Sequence, residues 1–142
     1  MGYKLKQLLH RQKKLNLRMD IVEGGEVKDN HVVGWVKIRG QNDPQYIKQA
    51  REFIQDNLLD MDTDPKPTEE EVDEAHTFSM CATVACAITD WDEDFFDGPY
   101  SKEAATEIFI DKEYTSIYNQ IAFAMQKSKD FLPRASQHRK SG

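Results

Sequence analysis

Hydrophobic positions alternate with polar ones early in the chain. Leu15, Leu17, Met19 and Ile21 are separated by Asn16, Arg18 and Asp20, the period-two pattern of a half-buried strand. A second run from His31 to Arg39 is rich in β-branched residues, with Val32, Val33, Val36 and Ile38 around Trp35. Between the two lies Glu23-Gly24-Gly25-Glu26, a turn cluster, because glycine accepts positive φ at little cost. Together they predict an antiparallel hairpin with a long loop. Gly34 inside the second run weakens it and marks a candidate bulge.

From residue 43 the period becomes three to four. Asp43 is a good N-cap and Pro44 suits the first helical position. Ile47, Ala50, Ile54 and Leu58, with Tyr46 and Phe53 beside them, predict a helix to about Leu59. The acidic stretch DMDTDPKP (60–67) contains two prolines and cannot continue it. Thr68 with Glu71 is a capping box, and Glu69, Glu70 and Glu71 suit the positive end of a helix. The helix that follows is polar for two turns. From Phe78 it becomes apolar on more than one face, as expected of a central buried helix, and it is predicted to end in Trp91. An acidic aromatic loop leads to Tyr100. Ser101 caps the next helix, with Ala104, Ala105, Ile108 and Phe109 inward. Ile110-Asp111-Lys112 is a candidate break. Tyr114, Ile117, Tyr118, Ile121, Ala124 and Met125 then give an amphipathic stripe that Phe131, Leu132 and Pro133 end. The expected fold class is α+β, mainly α-helical: a short N-terminal β-hairpin packed on about four helices.

The chain of 142 residues fits one domain with a modest core. Its 14 aromatic residues place it outside the disordered class despite 31% charged residues. No apolar run is long enough to span a membrane, and Leu8-Leu9 is too short for a signal-peptide core, so a cytoplasmic protein is expected. Charge is uneven. Residues 1–19 carry six basic and no acidic residues, and residues 132–142 carry Arg134, Arg139 and Lys140. The ten remaining basic and all 25 acidic residues lie between 20 and 131, a balance of −15. The domain reading is therefore a basic leader over 1–14, disordered or a short helix (Leu5, Leu8 and Leu9 form one short stripe), a single domain over 15–132, and a disordered basic tail over 133–142.

Candidate chemistry is sparse. Cys81 and Cys86 are five apart; at roughly 100° per residue they point about 140° apart and cannot pair, so both read as buried free thiols. Asp90, Asp92, Asp94 and Asp97 are spaced like a cation loop, but an EF-hand needs glycine at its sixth position and glutamate at its twelfth. Phe95 and Ser101 stand there, so no metal and no cofactor is expected. His10, His31, His76 and His138 share no paired spacing, and no serine has a nucleophile context. No catalytic residue is assigned, and an enzyme is not expected.

Three segments resemble one family. GWVKIRGQNDPQYIKQAREF (34–53), VACAITDWDEDFFDGPYSKEAATEIF (84–109) and EYTSIYNQIAFAMQKSKDFL (113–132) are similar to the opening, middle and closing helix of the tail assembly chaperones of long-tailed bacteriophages. The resemblance covers roughly 15–132. The chain departs from the family's pattern in its basic leader and in the aromatic-rich DEDFFDGPY. The resemblance implies a non-catalytic protein that coats and solubilises the long helical tape measure protein before the tail tube closes around it. It implies action in the cytoplasm of the bacterial host and absence from the mature virion, with the tail tube protein and a second copy of the chain as further partners. Trp91, Phe95, Phe96 and Tyr100 are the candidate partner-binding anchors, set among acidic residues; their alternative role is an inward-folded lid on the closing helix. Two other functions fit the chain less well. A nucleic-acid-binding regulator using the basic ends conflicts with the acidic body, and a metal-dependent enzyme using the 90–97 loop conflicts with the loop spacing.

Overall fold

A computed structural model describes residues 12–127 and residue 131. The elements run β1 (Gln12–Glu23), β2 (Glu26–Arg39), α1 (Pro44–Asp56), α2 (Glu69–Ala85), β3 (Ile88–Trp91), α3 (Glu93–Phe96), α4 (Lys102–Ile110), a 3-10 turn (Lys112–Tyr114) and α5 (Thr115–Met125). The fold is mainly helical α+β, with an antiparallel sheet in the order β1-β2-β3.

The hairpin is longer and tighter than the sequence suggested. The chain reverses at Gly24 and Gly25, with φ of 60° and 81°, a two-residue turn whose positive φ values match the twist of the flanking strands. β2 therefore starts at Glu26 rather than His31, because cross-strand pairing carries the polar residues 26–31 into the ladder. β1 likewise starts at Gln12, so the last three residues expected in the leader belong to the sheet. Residues 1–11 and the tail 133–142 lie outside the described residues. The register shifts between Leu17 and Arg18, next to Gly34, where a bulge was expected.

The buried helix stops at Ala85, not Trp91. Ile88–Trp91 instead forms β3, pairing Ile88 with Ile38 and Trp91 with Val36. Arg39 N donates to Ala87 O at 2.8 Å, which locks the helix-to-strand corner. Tertiary pairing outweighs the local helical pattern here, as a β-branched Ile-Thr pair permits. α2 packs most extensively against α4, and the fully buried Ala82, Ala85 and Ala105 let the helices approach closely. The core unites Leu17, Val36 and Ile38 of the sheet with Val84, Ile88, Trp91, Phe109, Ile117 and Ile121. α5 ends at Met125, earlier than its stripe suggested. Phe131 is nonetheless buried: its ring lies 2.8 Å from where a Cβ on Gly40 would sit.

Candidate functional site

The four aromatic candidates are brought together, but facing inward. β3 delivers Trp91 into the core at 2% exposure. Asp92 caps α3 by accepting from Asp94 N at 3.2 Å and Phe95 N at 3.4 Å. Asp97 (φ 59°) and Gly98 (φ 146°) then turn the chain back. This loop is short enough for Gly98 O to accept the indole N–H of Trp91 at 2.9 Å. Phe96 stacks on Trp91 with centroids 4.1 Å apart, and Tyr100 meets it edge-on at 5.3 Å. Phe95 meets Phe96 edge-on at 4.9 Å and rests on Gly34. The Tyr100 hydroxyl donates to Ala85 O at 2.7 Å, and burial raises its pKa well above the usual phenol value.

Trp91 is thus a core residue and not a surface anchor, because its ring and its only donor are both satisfied inside. Phe95, Phe96 and Tyr100 are half-buried. Phe95 and Phe96 line a hollow of about 230 Å³ with Ile108 and Tyr114. The loop's acids act on the backbone: Asp92 as a cap, Asp90 accepting from Trp91 N at 2.9 Å, Asp97 as the left-handed turn residue. Among the described residues, no group of three or more His, Cys, Asp or Glu side chains is placed to hold a metal.

A more open apolar surface lies elsewhere. α2, α4 and α5 enclose a hollow of about 320 Å³, with Met80 and Ile110 at its rim and Cys81, Phe109 and Tyr118 below. Met80 and Ile110 are 47% and 42% exposed, two apolar side chains brought to the rim of one hollow rather than scattered singly. The hollow's wall is firm. Phe109 and Tyr118 meet edge-on at 5.9 Å, and the Tyr118 hydroxyl reaches Met80 O at 3.5 Å. Burial raises the Cys81 thiol and the Tyr118 phenol pKa, so both stay protonated at neutral pH and neither is an activated nucleophile. Helical spacing puts Asp73 one turn before Thr77 and two before Met80, and Glu107 one turn before Ile110, while Asp111 and Glu113 follow at the elbow on either side of Lys112, which lines the hollow. All four acids are exposed. The sequence offered little signal for this surface: Met80 shares a helical stripe with the buried Val84, and only Ile110, standing directly before the break, hinted at it.

Two further properties bound the chemistry. Among the described residues, no helix is long and apolar enough to cross a membrane. Comparison with family models, with curated proteins and with solved structures finds no match for this chain.

Proposed function

We propose that this protein is a non-enzymatic assembly chaperone that docks an amphipathic helix of a long helical partner. The observation that carries the reading is the apolar hollow with Met80 and Ile110 exposed at its rim and Lys112 as the one charged residue in its lining. A helix-in-groove partner needs apolar anchors at i, i+3 or i+4 within a polar rim, and methionine adapts its shape to different anchors. The exposed Asp73, Glu107, Asp111 and Glu113 on the same three elements favour a partner with lysine or arginine flanking its apolar stripe, while Lys112 in the hollow itself favours an acidic or neutral polar group there. The resemblance to phage tail assembly chaperones adds the identity of the partner, the tape measure protein, held soluble in the host cytoplasm and released before the virion is complete. The half-buried edges of Phe95 and Phe96 form a second, shallower anchor on the other side of α4.

The test is co-expression with a tape measure protein encoded beside this chain. The partner is expected to be soluble and to co-elute on gel filtration only when this protein is present. Met80→Lys and Ile110→Lys are expected to weaken the complex by about tenfold or more with the melting temperature unchanged, because both side chains are already exposed. A partner equally soluble alone, with no complex on gel filtration, overturns the reading. A complex that survives both substitutions but is lost with Phe96→Ala moves the docking surface to the aromatic loop.

A further inference from the structure

The two ends of the sheet are chemically opposite. At the distal end, residues 20–30 carry four acidic residues and one lysine. Glu23 stands directly opposite Glu26, an unfavourable like-charge pair that a cation would relieve. Lys28 already reaches Glu23 at 3.2 Å. Val22 and Val27, also paired across the strands, are 73% and 70% exposed, the highest values for large apolar side chains among the described residues. The arm has a built shape. Asn30 adopts φ 53°, its N–H donates to Asp20 Oδ1 at 2.8 Å, and Arg18 Nη1 donates to Asn30 O at 3.0 Å. At about 3.4 Å per residue, these five or so pairs project roughly 15 Å beyond the body.

At the basal end, a polar hollow of about 490 Å³ opens between the end of β2, the start of β3, α1 and the start of α4. Arg39 and Lys102 supply its cations, Gln49 and Thr89 its neutral polar groups, and Glu52 one opposing charge. Arg39 is underused: its Nε lies 3.8 Å from Asp43 Oδ2, and neither of these buried atoms has a hydrogen-bond partner. Nε is shut in against Asp43, so it is the remaining 16% exposed part of the side chain that presents positive charge to the hollow and favours a carboxylate.

We propose that the acidic arm of one copy docks its Glu23-Gly24-Gly25-Glu26 tip into the Arg39 and Lys102 hollow of a second copy. An intramolecular version is ruled out by reach, because the tip lies about 40 Å from Arg39 along β2. The contact is heterologous, since donor and acceptor are different surfaces, so it propagates from copy to copy as a ring or an open chain. The tip's Val22 and Val27 gain cover against the half-buried Tyr100 in the hollow wall. The contact is small and charge-based, which makes it weak, reversible and sensitive to salt. It shares no lining residue with the apolar hollow on α2 and α4, so it stands or falls separately from helix docking.

Sedimentation velocity of the full chain over a range of concentrations tests it. The average mass is expected to rise with concentration at low salt and to fall back to the monomer in about 1 M salt, where the screening length is about 3 Å. Glu23→Gln with Glu26→Gln removes the tip's charge, and Lys102→Glu spoils the hollow. Each variant alone is expected to stay monomeric with a wild-type melting temperature, since all three positions are exposed. A mixture of the two retains one intact arm and one intact hollow, and is expected to stop at a dimer. Val22→Ser with Val27→Ser is a charge-neutral probe of the same tip, expected to weaken association. A wild-type chain that stays monomeric up to about 1 mM overturns the proposal, as does assembly unchanged in the variants or a mixture that forms no dimer.

Discussion

Gly34 is where the sheet meets the aromatic loop. A Cβ there would lie 2.9 Å from the Cβ and ring of Phe95, so even the smallest side chain must move a ring that is itself wedged against Phe96. Gly34→Ala is expected to destabilise by about 1–3 kcal/mol, the usual range for overpacking, read as a lower midpoint in urea unfolding; an unchanged midpoint would show that Phe95 is free to shift. The buried titrating groups make a second residue-scale prediction. Burial raises Tyr46 from 10.0 to about 12 and Cys86 from 9.0 to about 11. Well below pH 9 both stay protonated folded and unfolded, so they add no pH dependence there. Above it the unfolded chain loses these protons first, and stability is lost as pH rises toward 12. Glu71 works at the other extreme: its capping-box bonds to Thr68 lower its pKa, so its contribution is present above the unfolded value of 4.5 and is lost as pH falls through the folded one. Thermal melts across pH should be flat from neutral to about pH 9 and fall beyond; Tyr46→Phe should reduce that alkaline fall.

At the scale of elements, β3 is the piece that the chain's own pattern concealed. Ile88–Trp91 is only four residues long and continues an apolar stretch, so periodicity assigned it to the helix before it. What makes it a strand is the pairing with Val36 and Ile38 some fifty residues earlier, which no local window contains. The caps, by contrast, were legible: Asp43, Thr68 with Glu71, and Ser101 all cap as their chemistry required. The aromatic loop was half legible. Its residues are the right ones, but their facing depended on the Trp91 N–H reaching Gly98 O, a bond set by the tight turn at Asp97. The apolar hollow was not legible, because it is shared among three helices and no single stripe displays it. Ile88→Asp is expected to unfold the domain, since it would bury an unpaired charge between β3 and α2; a cooperative melt near the wild-type temperature would contradict the central place of β3.

On the scale of the whole molecule, function follows from what each surface leaves uncovered: an apolar hollow on the helices, an acidic arm and a cationic hollow at opposite ends of the sheet. One small device decides how copies can add together. The outer edge of β1 at Arg18 does not face open solvent. The side-chain amide of Gln120 on α5 accepts from Arg18 N at 2.8 Å and donates to Arg18 O at 2.7 Å, taking the place a neighbouring strand would occupy. A sheet closed at its flank by a borrowed amide is guarded against sideways strand addition, the route to cross-β stacking. Copies joined through arm and hollow would then lie with their strands lengthwise along the assembly, and drawn fibres of such an assembly would lack a meridional 4.7 Å reflection. Gln120→Ala would remove that guard and leave Arg18 as a point where a foreign strand can begin to pair.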